Sequence, residues 1–148
     1  MRNALFNTMG DITELDVFDP YCGSGAIAFE AISRGAASVQ ACEKDFGVYT
    51  TICESKEALG LGEEFQISKA NCVSWLKQTG ASFDLVIADP PHNDMSKKQL
   101  AALAPSVRKG GLLVICHPYD YKLAKPTGFD DIGSNRYGNA RLSYYRKR

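Results

Sequence analysis

Residues 17–33, VFDPYCGSGAIAFEAIS, constrain the fold of this chain more than any other stretch. They run from strand-forming residues through Gly23 and Gly25 into apolar positions Ile27, Ala28, Ala31 and Ile32 that recur at helical spacing. The reading is strand, tight turn, helix. Glycine lets a ligand approach the backbone closely, and the first amides of the following helix are unpaired donors. A small polar cofactor is therefore expected on this turn.

The same rhythm continues along the chain. Residues 2–10 predict a short amphipathic helix with Leu5, Phe6 and Met9 inward and Gly10 at its end, either a lid or a leftover. Strands are predicted at 15–18, 38–42, 65–68, 83–88 and 112–117. The run 83–88, FDLVIA, is apolar almost throughout, as in a strand covered on both faces. Helices follow to about residue 34 with Gly35 as stop, from Asp45 to Gly60, from Asn71 to Gly80, and over 96–103. Parallel strands joined by right-handed crossovers give an α/β, doubly wound, mostly parallel sheet with helices on both faces. Residues 131–145 add strand-like segments around a polar turn at 135–139, predicting a C-terminal antiparallel hairpin that completes a seven-stranded sheet. With 148 residues, 45% of them hydrophobic and 23% charged, residues 1–148 read as a single soluble domain.

Several classes are disfavoured. Lysine plus arginine equals aspartate plus glutamate, 17 each, so attraction to nucleic acid must come from a local patch. No apolar run reaches the ~18 residues of a membrane span, and the start, MRNALFNTMGD, is unlike a secretory signal, so the expectation is a cytoplasmic protein with no membrane contact. Five scattered cysteines without a CxxC pair read as reduced, small apolar side chains, with neither disulfides nor a metal site.

The chemistry concentrates at strand ends, where open α/β sheets bind ligands. Asp19, Glu43 and Asp89 close the first, second and fourth strands. Glu43 follows the glycine turn by about 20 residues, the distance at which a carboxylate accepts ribose hydroxyls. The turn Gly23-Ser24-Gly25 fits GxGxxA and by itself is compatible with a dinucleotide. Asp19, giving DxxxGxG, would repel a pyrophosphate but can hold a cationic amino-acid group through amides or water. S-adenosyl-L-methionine carries that cation and is preferred over a nicotinamide dinucleotide. In Asp89-Pro90-Pro91-His92 the prolines fix φ and remove amide donors. The bland reading is a strand-ending turn. The functional one has Asp89 Oδ and the Pro90 carbonyl accepting both hydrogens of an exocyclic amine, aiming its lone pair at the cofactor methyl, with His92 stacked on the base.

Taken together, MRNALFN, DPYCGSGAIAFEAISRGAASV, EKD, EALGL, FDLVIADPP and RYGNARLSYYR resemble the RsmD-type family, bacterial guanine-N2 methyltransferases of small-subunit (16S) ribosomal RNA, over almost the whole chain. The resemblance implies a Rossmann-like class I S-adenosylmethionine-dependent fold. It puts Asp19, Gly23 and Gly25 at the methionine part, Glu43 at the ribose, Asn71 at the adenine edge, and Asp89 to His92 at the target amine. Tyr21, Ser24, Lys44 and Cys72 complete the expected cofactor set. It further implies small-subunit rRNA or an assembling 30S subunit as the partner, with the base drawn out of its stack; the chain is expected to act as a monomer.

This chain departs from the family in three places. His92 replaces a tyrosine or phenylalanine. Asn71 replaces an aspartate, and its carbonyl oxygen is expected to accept from the adenine amine. The sequence begins at the helix that follows the family's basic N-terminal segment, so that segment is expected to be absent or removed. DPPY-like motifs also mark adenine-N6 DNA methyltransferases, which is one alternative; a cofactor-binding remnant without catalysis is another. Arg136, Arg141, Arg146, Lys147 and Arg148 are either RNA backbone contacts or a solvated tail. His117 is expected to be structural, and Tyr119, Tyr121, Tyr144 and Tyr145 to pack the core and sheet edge.

Overall fold

A computed structural model describes residues 1–91 and 95–148. One seven-stranded sheet runs in the order β3-β2-β1-β4-β5-β7-β6. Strands β1 (Asp16–Asp19), β2 (Ser38–Glu43), β3 (Phe65–Lys69), β4 (Phe83–Ala88) and β5 (Val107–Pro118) are parallel. The hairpin β6 (Phe129–Tyr137) and β7 (Ala140–Lys147) joins β5 antiparallel.

Alternate side chains of each covered strand enter opposite cores. Leu85, Ile87 and Val114 pack with Leu5 and Phe6 of α1 (Arg2–Met9), Ala28 and Ala31 of α2 (Ala26–Ser33) and Ile52 of α3 (Phe46–Ala58). Val86, Ala88 and Leu113 pack with Leu76 of α4 (Cys72–Thr79) and Leu100 and Leu103 of α5 (Lys97–Leu103). On that face Phe18 stacks on Phe83 and Trp75, with ring centroids 4.7 and 5.4 Å away. The helix starts match their sequence signals. The Asp45 carboxylate accepts from the Val48 amide at 2.9 Å, and Ser96 Oγ accepts from the Gln99 amide at 3.2 Å.

Five local expectations are corrected. Helix α1 is neither lid nor leftover: Leu5 and Phe6 are buried, Arg2 pairs with Glu30 of α2 at 3.4 Å, and Arg34 at the end of α2 lies 5.1 Å over the Phe6 ring. Strand β5 begins at Val107, because extra residues bulge out between the positions paired with Phe83 and Leu85. Exposed Arg108, Lys109 and Gly110 hide that strand start from an apolar pattern; a Cβ on Gly111 would lie 2.8 Å from the Arg108 carbonyl oxygen and 2.9 Å from that of Asp84, so only glycine fits. The hairpin turns at Gly138 and Asn139, while Asn135 and Arg136 are strand residues opposite Leu142 and Arg141. Tyr144 and Tyr145 are buried as expected, but Tyr119 and Tyr121 lie on the surface, 38% and 39% exposed. The terminal basic residues through Lys147 belong to this hairpin and form no tail.

Among the described residues the five cysteines are free, no helix is long and apolar enough to cross a membrane, and no group of three His, Cys, Asp or Glu side chains could hold a metal ion.

Candidate active site

Strand β1 lies between β2 and β4, so the chain leaves it in one direction toward β2 and β3 and resumes on its other side at β4. Beyond the carboxyl ends of these strands opens a cleft of about 590 Å³. The glycine turn forms one wall. Gly25 N donates to the Cys22 carbonyl at 2.7 Å, and Cys22 N donates to the Cys42 carbonyl at 3.2 Å, tying the turn to β2. Gly25, the N-cap of α2, has φ +84, and a Cβ there would stand 2.8 Å from the Phe29 ring. Gly23 has φ +51, with nothing within 4 Å of a would-be Cβ, so its backbone is open to a ligand.

Nine of the expected site residues line this one cleft: Tyr21, Gly23, Ser24, Glu43, Lys44, Asn71, Cys72, Asp89 and Pro91. Asp19 and Gly25 lie behind the wall, and Pro90 is buried at the end of β4. His92 lies outside the described residues.

Asp19 is the electrostatic centre. It is 1% exposed, and neither carboxylate oxygen accepts a hydrogen bond from the described residues. Burial, then the charge of Asp89 and more weakly that of Glu43, push its carboxyl up to about 7, opposed by the Tyr21 and Ala28 amides nearby. Burial also raises the Asp89 carboxyl, against a contact with the Cys116 thiol. Two like charges near one another cannot both ionise cheaply, and the more deeply buried Asp19 holds the proton. An orphaned carboxylate under an open glycine turn fits a ligand bearing a cation.

The acceptors differ in what they have left to offer. Glu43 Oε2 accepts from the Asp45 amide at 2.9 Å, which fixes the carboxylate and leaves its other oxygen unused. Asn71 corrects the expectation. Its Oδ1 caps α4, accepting from Val73 N at 2.9 Å and Ser74 N at 3.3 Å, so toward the cleft it has only the Nδ2 donor to spare. An aspartate could cap with one oxygen and accept with the other; asparagine cannot.

Sequence reasoning missed Gln99 and the thiols of Cys22 and Cys42, which also line the cleft. Tyr21 hydroxyl donates to Gln99 Oε1 at 3.4 Å, linking the glycine turn to α5 across 78 residues, a pairing no local pattern announces. Burial raises the Cys22 thiol and holds that of Cys42 at about 12, so both stay protonated and serve as small apolar wall. His117 is structural: its ring nitrogens lie 2.9 Å from the Pro118 carbonyl and 2.8 Å from Ser143 Oγ.

Residues 1–146 match the family described as Conserved hypothetical protein 95. The chain belongs to that family. Among relatives of this Conserved hypothetical protein 95 member is the Ribosomal RNA small subunit methyltransferase D of Escherichia coli, 33% identical over 92 residues that cover 62% of this chain and 46% of that protein. The chain thus spans about half the length of the curated relatives it matches. A conserved hypothetical protein of Streptococcus pyogenes superposes with a TM-score of 0.90 at 24% identity, covering 100% of this chain and 96% of that one. The ribosomal protein L11 methylase of Lactobacillus delbrueckii subsp. bulgaricus superposes at 0.76 and 20% identity, covering 99% and 77%. The α/β Rossmann-like fold of class I methyltransferases and the RsmD-type resemblance, both expected from the motifs, are met.

Proposed function

We propose that this chain is an S-adenosyl-L-methionine-dependent methyltransferase acting on the exocyclic N2 of a guanine in small-subunit rRNA, in the cytoplasm, on free rRNA or an assembling 30S subunit. The observation that carries the reading is the single cleft at the sheet's switch point that joins the glycine turn, with unpartnered Asp19 beneath it, to Asp89 at the end of β4. The name of the Escherichia coli relative supports the substrate class.

Bound S-adenosylmethionine supplies an electrophilic methyl group on a cationic sulfur. The chain's residues do the rest by placement. Asp19 in its ionised form balances the amino-acid cation, Glu43 accepts ribose hydroxyls through its unused oxygen, and Asn71 Nδ2 donates to an acceptor on the adenine edge. Asp89 accepts one hydrogen of the target amine and the Pro90 carbonyl the other, which turns the nitrogen lone pair toward the methyl group. The thiols of Cys22, Cys42 and Cys72 and the ring of Tyr21 exclude water. As the amine nitrogen gains its fourth bond it becomes acidic, and an Asp89 oxygen or water takes the proton. The raised Asp89 carboxyl makes it the stronger base.

The purified protein, given labelled S-adenosylmethionine with 16S rRNA and with DNA side by side, is expected to label the rRNA alone. Label in DNA adenine would establish the N6 reading; cofactor binding without transfer to either would leave a remnant.

A further inference from the structure

The balanced charge count conceals a division. The first 89 residues hold six Lys or Arg against 13 Asp or Glu, and the last 59 hold 11 against four, summing to the 17 and 17 of the whole chain. The boundary falls at Asp89, so the strands around the cofactor cleft are acidic in sum, and the part carrying α5, β5 and the hairpin is basic.

Strand register sorts those cations into two groups. β7 runs antiparallel to β5, so Arg146 stands opposite Leu112, toward the start of β5, while Arg141 stands opposite His117 at its carboxyl end. Arg136 stands opposite Arg141 one strand further out. Arg141 and Arg136 therefore continue the row of strand ends that begins at Asp89, roughly 10 and 14 Å from β4 at ordinary strand spacing. Arg146 and Arg148 lie at the other end of the sheet.

The two groups also differ in part in how they are neutralised. At the far end Arg148 pairs with Asp130 at 2.7 Å and nearby Arg108 with Asp16 and Asp84 at 2.8 and 3.1 Å, while Arg146 donates to the Gly110 carbonyl at 2.9 Å. At the cleft end the partners among the described residues are neutral: Arg136 Nε donates to the Gly138 carbonyl at 2.8 Å, and Arg141 donates to Ser134 Oγ at 2.9 Å. The Arg136 guanidinium lies 3.6 Å over the ring of exposed Tyr119, a contact that helps hold it in place. Lys97 and Lys98, both exposed, open α5 on the Asp89 side.

We propose that the sheet edge bearing Arg141, Arg136 and Tyr119 docks the sugar-phosphate backbone of the substrate RNA next to the target nucleotide. This rests on the rRNA reading above. Neutral partners leave the positive charge of both arginines for phosphates, a planar guanidinium on an aromatic ring is a form of Arg suited to phosphate and base contact, and the acidic cofactor side repels a polyanion from the wrong approach. The hairpin end carrying Arg146 and Arg148 takes no part.

The test is fluorescence anisotropy with a labelled mixed-sequence RNA hairpin between about 50 and 200 mM KCl, where each phosphate contact contributes about 0.7–0.9 to the log–log salt slope. The Arg136→Gln/Arg141→Gln variant is expected to weaken binding about tenfold or more and to flatten the slope by about 1.5. Arg146→Gln/Arg148→Gln should stay within about twofold with the slope unchanged, and Arg136→Lys/Arg141→Lys should keep the slope. Unaltered S-adenosylmethionine titrations in all three variants confirm folding. Equal losses in the two Gln pairs, displacement of RNA by polyglutamate at equal concentration, or no RNA binding by the unaltered protein would overturn the proposal. The two readings fail separately. Methylation of rRNA with equal losses in both pairs removes only the docking edge, and a site-selective slope change without guanine methylation removes only the assigned reaction.

Discussion

Replacing Asp19 with asparagine is expected to stabilise the free protein at pH 8 while removing most of its affinity for S-adenosylmethionine. The Asp19 carboxyl is raised from 3.8 to about 7 in the folded chain, so the folded state favours the protonated form. A raised value means stability that is complete below about pH 4 and is lost as pH climbs through 7. The full loss is on the order of 4 kcal/mol, since each unit is worth about 1.4. An uncharged amide at this position avoids that penalty, so the variant should melt several degrees above the unaltered protein at pH 8 and hardly at all above it at pH 4, read by differential scanning calorimetry. Binding runs the other way. If the cofactor cation requires ionised Asp19, affinity should rise about 30-fold between pH 5.5 and 8, with a proton released at the lower pH. In D19N the profile should be flat and the affinity at pH 8 about 100-fold lower, the loss of a charge-assisted contact. Titration calorimetry in buffers of different ionisation enthalpy reads both effects. A less stable variant, or an unchanged pH profile, would contradict this role for Asp19.

Asp89→Ala is expected to lower kcat about 1000-fold, because it removes both the alignment of the target amine and the acceptor of its proton. Cofactor affinity should hold within about threefold at pH 8. A secondary effect identifies the coupling. Asp89 is the leading charge that raises Asp19, so its removal should move the Asp19 titration, and with it the pH dependence of cofactor binding, to lower pH. Single-turnover transfer with labelled cofactor measures the first effect, and calorimetry against pH the second. If only cofactor affinity falls and transfer persists, Asp89 belongs to the cofactor and not to the amine.

What could be read in advance was whatever local chemistry decides. Residues 17–33 declare strand, turn and helix through their own spacing, and Asp45, Asn71 and Ser96 mark helix starts through side chains that cap them. Once the strands are parallel, Asp19, Glu43 and Asp89 must meet at one edge, because each ends its strand there. What escaped depends on partners distant in sequence. Asn71 looked like an acceptor until its oxygen proved to be spent on the Val73 and Ser74 amides. Gln99 entered the cleft through a bond to Tyr21. Residues 130–134 are exposed throughout, so edge strand β6 lacks the alternation that would have revealed where it begins. The run of terminal basic residues gave no sign that an antiparallel turn would send Arg141 and Arg146 to opposite ends of the sheet.

The central claim is a methyl group placed on N2 of guanine in small-subunit rRNA. The most direct measurement incubates the protein with methyl-deuterated S-adenosylmethionine and 16S rRNA from cells lacking this gene, digests the RNA to nucleosides and reads them by mass spectrometry. Deuterated N2-methylguanosine that disappears in D89A is the predicted result. Deuterium in N6-methyladenosine, or none in any nucleoside from a protein shown to bind the cofactor, would contradict it.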